Sequence, residues 1–437
     1  MKFNVLLILS FLFKIFFRIV WTKSTSSTTV VETKWIAERR SFLWPERKIK
    51  DTCTCVYVLF HDKMRSRIDI HDYDRWHFEV LFGTINCIRI VQNESLKRLE
   101  EIFLATGGRC ALLWGRASIE TERLVSFVKN IKLRTRQRYG RKNLRLGHFH
   151  VGDEIGLAST EHYRLFDYVL RHFYYPRQFR LNDASHSTTD RVRWVPLGTR
   201  RGDDVFASET KDGLRIGLKA SERPYFANFM GNVRPYRLGQ LVTTRSKMLN
   251  SLRRLDWSRI LDESSSFDKE QHRCDGHRNR SSVVHIFIHE TTKFQDGSAS
   301  TYKRVLGQSV FTLAPEGTGK ESFRVWEALE AGSIPIVQRG AEWTALGPDH
   351  PLIVVSDWDV QSLDVALEPL RRMYASSTDE IDRLQQRVAL WWQRRKRELQ
   401  MDMQWLLLGG KKVTFGRPLK EGARVVEYLG ETNASAA

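Results

Sequence analysis

The chain reads FTLAPEGTGKESFRVWEALEAGSIPIV from Phe311 to Val337, and this stretch decides the fold. It begins with an apolar run typical of a buried strand and continues through a loop that contains two glycines. A helical pattern follows at 321–331, and a second apolar run at 334–337. This order predicts a parallel α/β unit, in which the loop and the helix N-terminus direct backbone N–H groups toward an anion.

The glycine-rich loop differs from a Walker A motif in two places. Glu321 follows Gly319 and Lys320 where that motif has Ser or Thr, and Ala314 occupies the position of its first glycine. ATP hydrolysis is therefore not indicated. The loop is instead suited to a diphosphate.

Three side chains of the predicted helix can face this anion. Arg324 lies one turn into the helix and Ser322 near its start, so that both can contact a phosphate. Glu327 lies three residues beyond Arg324 on the same face, where a carboxylate can accept hydrogen bonds from a ribose. The alternative interpretation of this spacing is a surface ion pair between Arg324 and Glu327.

The same alternation of apolar runs and helical patterns extends in both directions. Strands are predicted at 54–60, 85–91, 110–114, 146–151, 192–196, 224–230, 283–288, 310–313, 334–337 and 352–355. Helices are predicted at 94–105, 161–173, 243–255, 302–306 and 321–331. Ser377 and Glu380 form a capping box that begins a long amphipathic helix at 378–401. The pattern predicts parallel sheets flanked by helices.

Length and composition agree with a folded protein of two domains. The chain has 437 residues, of which 41% are hydrophobic and 28% charged. Its net charge of +19 predicts attraction to phosphates, acidic glycans, nucleic acid or an anionic membrane surface. The five cysteines lack the C-x-x-C repeats of a zinc site, and their odd number leaves at least one unpaired within the chain.

The N-terminal segment 3–21 is apolar except for four polar positions, and as a helix it is about 28 Å long, close to the thickness of a bilayer core. We expect an uncleaved signal anchor; a cleaved signal peptide and a buried helix of a soluble protein are the alternatives. The first two lead to the secretory pathway, and three N-glycosylation sequons, at Asn93, Asn279 and Asn433, agree with that route. The expectation is a single-pass type II protein of the Golgi or endoplasmic reticulum membrane, with its folded body in the lumen.

Further motifs occur in the order found in a known family. They are Gly152-Asp153-Glu154, Trp194 to Gly198, Arg223 to Gly231, Arg245, Gly317, Glu321 to Arg324, Glu327, Gly332 to Val337 and Trp391-Trp392. Together they resemble the exostosin-like glycosyltransferases, and within these the ribitol xylosyltransferase branch, over residues 149–401. Two departures, Ala314 in place of a Cys and Gln338-Arg339 in place of an acid pair, leave the donor sugar open.

The resemblance implies an α/β fold of the GT-B type, in which two Rossmann-like domains face a cleft and a long C-terminal helix crosses back. The corresponding division of this chain is a signal anchor at 1–22, a stem at 23–50, an N-terminal acceptor domain at 51–210, a nucleotide-sugar-binding domain at 211–375, the crossing helix at 376–405 and a tail at 406–437.

The resemblance also implies an inverting glycosyltransferase that moves xylose or a related sugar from a UDP-sugar to a hydroxyl of a glycan or phosphorylated polyol. The donor-binding residues carried over are Asn228, Gly231, Arg245, Gly317, Glu321, Ser322, Arg324 and Glu327. Asp153 or Glu154, after a predicted strand, is the candidate catalytic base, and a turn or capping carboxylate is the alternative. No cofactor besides the UDP-sugar is expected, and a divalent metal is not.

Other patterns leave alternatives open. Asp-x-Asp pairs at 72–74 and 357–359 would hold a metal in a GT-A enzyme, and His285 and His289 are spaced for a metal site only on a helix. His148 and His150, on one face of a strand, are interpreted as core or cleft histidines. The basic run at 129–145 is either a solvated helix face or a docking surface for an acidic acceptor, and nucleic acid is not an expected partner. The alternatives to the enzyme are an inactive, basic, GT-B-like glycan-binding protein and a nucleic-acid-associated protein.

Overall fold

The structure is a computed structural model. It describes residues 55–61, 76–77, 81–82, 85, 87–93, 95–105, 108–116, 121–140, 144–152, 156, 158–173, 175, 192–199, 217–233, 243–261, 283–291, 299–317, 319–340, 343, 346, 349–409 and 425–429. The expected signal anchor and stem lie outside these residues. None of the helices in the described ranges combines the length and hydrophobicity needed to cross a membrane.

The first sheet has seven parallel strands. They are β1 (Val56–His61), β2 (Cys87–Asn93), β3 (Cys110–Arg116), β4 (Arg145–Val151), β5 (Tyr168–Arg171), β6 (Val192–Trp194) and β13 (Val425–Leu429), arranged in the order β13-β2-β1-β3-β4-β5-β6. Helix α1 (Leu96–Ala105) follows β2 and helix α2 (Thr121–Tyr139) follows β3. A disulfide between Cys55 and Cys87 links the beginnings of β1 and β2, and Cys110 is also disulfide-bonded.

The second sheet has six parallel strands. They are β7 (Tyr225–Asn232), β8 (Ser258–Leu261), β9 (Val284–Thr291), β10 (Ser309–Leu313), β11 (Ile334–Gln338) and β12 (Ile353–Val355), arranged in the order β12-β11-β10-β7-β9-β8. Helices α3 (Thr244–Leu252), α4 (Ala299–Gln308) and α5 (Phe323–Glu330) lie between the strands. Helices α6 (Val360–Ser376) and α7 (Thr378–Leu408) follow β12.

These elements confirm the predicted fold class, because both sheets are parallel, both are combined with helices and a long C-terminal helix follows. The predicted capping box at the start of α7 is present in part: the Ser377 side chain accepts a hydrogen bond from the Glu380 N–H. Trp391 and Trp392 are buried, as the apolar pattern of this helix indicates.

The predicted helix at 161–173 is wrong. Residues Glu161–Leu165 form one short 3-10 helix, and the chain then enters β5, all four residues of which are buried. Burial on both faces of a strand removes the alternation of polar and apolar residues that identifies strands in a sequence. His162, Tyr163 and Phe166 are also buried, and their spacing imitates a helical face.

Candidate functional site

The strand order of the second sheet places a topological switch point between β7 and β10. From β7 the chain continues on one side, to β8 and β9, and from β10 on the other, to β11 and β12. The segments that leave the carboxyl ends of β7 and β10 therefore separate and open a crevice, which is the usual ligand position in open α/β sheets. The glycine-rich stretch after β10 and the N-terminus of α5 lie at this crevice.

Arg324, in the first turn of α5, is fixed against the carboxyl end of β7. Its Nε donates to the Met230 carbonyl over 2.8 Å, and its guanidinium lies 4.8 Å from the ring centre of Phe229. Ser322 is the N-cap of α5, accepts a hydrogen bond from the Arg324 N–H and is 3.5 Å from Arg324 Nη1. The predicted pair of Arg324 and Ser322 is thus brought together at a helix N-terminus, where an anion is favoured.

Arg245, in α3, joins the two segments that form the crevice. Its Nη1 donates to the Asn232 carbonyl at the end of β7 over 2.8 Å, and its Nε donates to the Glu316 carbonyl after β10 over 3.3 Å. Arg245 and Arg324 therefore contact carbonyls at the same end of β7 from two different helices. Two half-buried guanidinium groups and a helix N-terminus can together hold a diphosphate.

The two predicted glycines make room for these arginines. A Cβ on Gly231 would lie 1.8 Å from Arg324 Nη2, and a Cβ on Gly317 would lie 2.8 Å from Arg245 Nη2. Both glycines are therefore required by close packing of a guanidinium on the backbone, which the sequence motif alone does not reveal.

We expect Gly231→Ala to weaken diphosphate binding by about tenfold or more, because the new methyl group displaces Arg324 and disturbs hydrogen bonds to charge worth about 1.5–3 kcal/mol. Isothermal titration with UDP measures this effect. Gly307→Ala is the matched control, since a Cβ there meets no atom within 4 Å and the residue lies in helix α4. Equal affinity of Gly231→Ala and the unmodified chain would contradict this placement of Arg324.

Asn228 and Gly231 are the two donor-binding candidates carried over from the first strand of this domain and its end. Both lie within β7, which continues to Asn232. Asn228 is buried, and its Nδ2 donates to the Phe311 carbonyl over 3.1 Å and to Thr312 Oγ1 over 2.9 Å. The amide therefore joins β7 to β10 at the switch point, and its described contacts are with protein.

Glu327 is 5% exposed, so a surface ion pair with Arg324 does not describe it. Its Oε2 accepts a hydrogen bond of 2.5 Å from the Tyr302 hydroxyl in α4. This contact fixes the orientation of the carboxylate, one turn beyond Arg324 on α5.

Glu321, carried over as a donor-binding residue, joins the two sheets. Its Oε1 accepts from the Leu197 N–H and from Trp326 Nε1, each over 2.8 Å, and its Oε2 accepts from Trp194 Nε1 over 3.2 Å. Trp194 ends β6 of the first sheet, whereas Glu321 precedes α5 of the second. The carboxyl end of β6 thus lies against the N-terminus of α5.

Burial raises the pKa of Glu321 to about 7, and hydrogen bonds from Leu197, Trp194, Trp326 and Phe173 oppose this shift. Only 4% of the residue is exposed. Hydrogen-bond donors surround the carboxyl group, which explains why an acid is placed in an apolar interior.

Glu330 makes the corresponding connection at the other end of α5. It accepts hydrogen bonds from Trp76 Nε1 over 3.3 Å, from Trp392 Nε1 over 3.1 Å and from Lys396 Nζ over 2.8 Å. Trp392 and Lys396 belong to α7, and the rings of Trp76 and Trp392 are stacked with centroids 6.3 Å apart. The helix that carries Arg324 is therefore held at both ends by buried or half-buried acids.

Buried histidines occupy the other candidate region, at the carboxyl end of β4. His148 and His150 point to one face of β4, and His162 of the 3-10 helix lies beside them. The prediction that His148 and His150 are core histidines fits their burial. Burial, with the nearby Arg171 charge, lowers the pKa of His162 to about 4 and the pKa values of His148 and His150 well below the usual range.

We expect acid to destabilise the fold. Burial also lowers the pKa of His77 to about 4 and that of His172 well below 6.5. The unfolded chain then binds more protons than the folded chain, so that stability falls as the pH decreases from about 6.5 toward 4. For His77 alone the loss at pH 5 is about 2 kcal/mol. Glu321 acts in the opposite sense, since its raised pKa makes stability fall as the pH rises from 4.5 to about 7.

Urea unfolding of the full chain at pH 7.5, 6.5 and 5.5 measures this dependence. The decrease between pH 6.5 and 5.5 is smaller in His77→Gln, which removes one of the titrating groups. A free energy of unfolding that is constant or increases on acidification would contradict the assignment of neutral, buried histidines.

The remaining candidates are placed as follows. Asp153 and Glu154, the candidate bases, lie outside the described residues, as do Asp72 and Asp74. Asp357 forms a 2.5 Å ion pair with Lys247. Asp359 is the N-cap of α6 and accepts from the Ser362 N–H over 2.7 Å. The second Asp-x-Asp pair thus makes protein contacts at the start of a helix.

One protein-family model matches the part of the chain that carries this site. Residues 214–407 match the model of the RXYLT1 C-terminal domain. No curated protein matches the chain. The match covers both arginines, both glycines, Glu321 and Glu327.

Solved structures with similar folds include three complexes with nucleotides. An alpha-glucosyltransferase in complex with UDP and a DNA 13-mer is 8% identical over 80% of this chain and 98% of its own, with a TM-score of 0.41. The catalytic domain of starch synthase IV from Arabidopsis thaliana, bound to ADP and acarbose, is 9% identical over 81% and 100%, with a TM-score of 0.44. Anabaena Alr3699/HepE in complex with UDP is 11% identical over 80% and 98%, with a TM-score of 0.41.

The family match falls on the sheet that carries the switch point and on the long helix that follows it. Residues 214–407 therefore match the RXYLT1 C-terminal domain of the ribitol xylosyltransferase family, and the resemblance predicted from the sequence motifs is confirmed over these residues.

Proposed function

We propose that this protein is an inverting glycosyltransferase that transfers xylose or a related sugar from a UDP-sugar to a hydroxyl of a glycan or phosphorylated polyol. The observation that carries the proposal is the convergence of Arg324, Arg245 and the α5 N-terminus at the β7–β10 switch point, within the RXYLT1 C-terminal domain. Such an arrangement is suited to a nucleoside diphosphate.

Negative charge on the diphosphate increases as the bond to the sugar breaks. Arg324 and Arg245 are already fixed by backbone carbonyls, and Ser322 caps α5 beside Arg324. Donors that are oriented before the reaction stabilise a leaving group without further reorganisation. These cationic groups supply the role that a divalent metal has in other transferases, so we propose transfer that does not require one.

Glu327 remains our candidate for the ribose, with Tyr302 orienting its carboxylate. For the acceptor, we propose Asp153 or Glu154 as the general base. They follow β4, and the carboxyl edge of the same sheet meets α5 at Trp194 and Glu321. An acceptor hydroxyl at this edge is then near the donor site, as direct displacement at the anomeric carbon requires.

We further propose that the folded body resides in the lumen of the Golgi or endoplasmic reticulum, anchored by the N-terminal helix. The disulfide between Cys55 and Cys87, together with the disulfide-bonded state of Cys110, supports an oxidising compartment.

Thermal unfolding of the full chain with a panel of UDP, GDP, CMP and UDP-sugars tests the proposal. A ligand that binds only the folded state raises the melting temperature. We expect an increase selective for UDP and UDP-sugars, and the same increase with EDTA present. No increase with any nucleotide would favour the inactive glycan-binding protein, and an increase that requires Mn²⁺ would contradict metal-independent transfer.

A further inference from the structure

Within the described part of the chain, one cluster contains three side chains that could together bind a metal ion, and all three are histidines near the end of β4. His148, His150 and His162 each offer a ring nitrogen, and these nitrogens lie within 4.8 Å of one another. His148 and His150 share a face because side chains alternate along a strand, and the 3-10 helix at 161–165 places His162 on that face. All three residues are buried.

Three ring nitrogens of this group lack hydrogen-bond partners. His150 Nε2 and both ring nitrogens of His162 are buried with no partner. His148 Nδ1 lies 3.2 Å from the Leu113 carbonyl. Buried polar atoms are nearly always satisfied, so three unsatisfied nitrogens in one group of neighbouring histidines indicate a missing ligand.

The Nδ1 atoms of His148 and His150 make contacts of the kind that hold metal-binding histidines. A carbonyl can only accept, so His148 Nδ1 carries the hydrogen and donates to Leu113, which leaves a lone pair on Nε2. His150 Nδ1 contacts the Tyr163 hydroxyl. Metal at His150 Nε2 selects the tautomer with its hydrogen on Nδ1, which donates to Tyr163. Such outer hydrogen bonds orient ligating imidazoles.

Arg171 limits the choice of metal. Its Nη1 is 2.6 Å from the Tyr163 hydroxyl and 3.4 Å from His150 Nδ1, on the edge of the ring opposite Nε2. A positive charge at this distance weakens the binding of any cation. Zinc and copper bind imidazole far more tightly than manganese or magnesium, which prefer oxygen ligands. A site that offers only nitrogen ligands and lies beside an arginine is therefore selective for zinc or copper.

We propose that His148, His150 and His162 bind one zinc ion, which links the 161–165 helix to the end of β4. Tetrahedral zinc with bonds of about 2.0–2.1 Å requires nitrogens about 3.4 Å apart, so the rings close by about 1 Å on binding. The ion is separate from the Arg324 site on the second sheet. Its effect is to fix the last residues of β4, immediately before Gly152 and the candidate bases.

The metal content of the full chain, purified without a polyhistidine tag and dialysed against zinc, tests the proposal. Plasma mass spectrometry should find about one zinc per chain. Incubation with a chelator should lower the melting temperature, and Zn²⁺, but not Mn²⁺, should restore it. Replacement by Co²⁺ should give the visible absorption of a tetrahedral nitrogen site.

His162→Gln should lose the zinc, and His77→Gln should keep it. His77 is also buried, but its Nε2 contacts the Pro196 carbonyl and it lies outside the group of three. The UDP-induced increase in melting temperature should persist in His162→Gln. This result would show that the variant folds, and it would distinguish the zinc proposal from the donor-site proposal. Less than about one-fifth of a zinc per unmodified chain, or undiminished zinc in His162→Gln, would overturn the assignment.

Discussion

Arg324→Ala is expected to abolish detectable UDP binding at concentrations that saturate the unmodified protein. The guanidinium is fixed by the Met230 carbonyl and the Phe229 ring, at the carboxyl end of β7 beside the β7–β10 crevice. Loss of two charge-assisted hydrogen bonds costs about 3–6 kcal/mol, which corresponds to about 10²–10⁴-fold in Kd. Isothermal titration with UDP gives the value directly.

Two further variants control this result. Arg324→Lys keeps the charge but not the planar fork of donors, and we expect an intermediate Kd. Arg372→Ala removes an exposed arginine that pairs with Glu368 on α6, and Kd should change less than about twofold. Wild-type affinity in Arg324→Ala would show that the diphosphate binds elsewhere.

Glu321→Ala is expected to lower the free energy of unfolding by about 3 kcal/mol, the largest stability effect that we predict for one residue of the site. The change leaves Trp194 Nε1, Trp326 Nε1 and the Leu197 N–H without their acceptor in a buried region. Each unsatisfied donor costs about 1–3 kcal/mol, and removal of a poorly solvated carboxyl group offsets part of the sum.

Urea unfolding at pH 7.5 measures this loss. Glu321→Gln retains one carbonyl oxygen and should lose about half as much. Glu316→Ala lies in the same loop but removes only an ion pair with the exposed Lys320, so its effect should stay below about 0.5 kcal/mol. A neutral Glu321→Ala would mean that the contact between β6 and α5 contributes little to the folded state.

The sequence predicts the elements that surround the donor site because their signals are local. The stretch at 311–337 shows a buried strand, a glycine-rich loop, a helix and a strand, and the structure has β10, α5 and β11 there.

Strand β8 and helix α6 were not predicted. Helix α6 contains Pro369, which normally ends a helix, and β8 has only four residues, two of them polar. Strand β13 is added at the sheet edge from the segment assigned as a tail.

The site residues also divide into those that a local sequence pattern reveals and those that only the tertiary structure brings together. Arg324 and Ser322 are found from spacing, because a helix brings them together. The contact of Glu321 with Trp194 joins residues 127 positions apart, and no local pattern reports it. His162 likewise lies beside His148 because residues 161–165 form a short 3-10 helix followed by β5, and not the long helix that the sequence predicts. Alternation on β4 shows the pair His148 and His150, but the third member depends on tertiary structure.

The transfer reaction tests the central proposal most directly. The full chain is incubated with UDP-xylose and, separately, with UDP-glucuronate, UDP-galactose and UDP-arabinose, each with a ribitol phosphate acceptor and without added divalent metal. We expect transfer from UDP-xylose with inversion at the anomeric carbon, seen by NMR of the product, and no product with Arg324→Ala. UDP binding without transfer from any of these donors would contradict the enzyme and favour a glycan-binding protein that retains the diphosphate site.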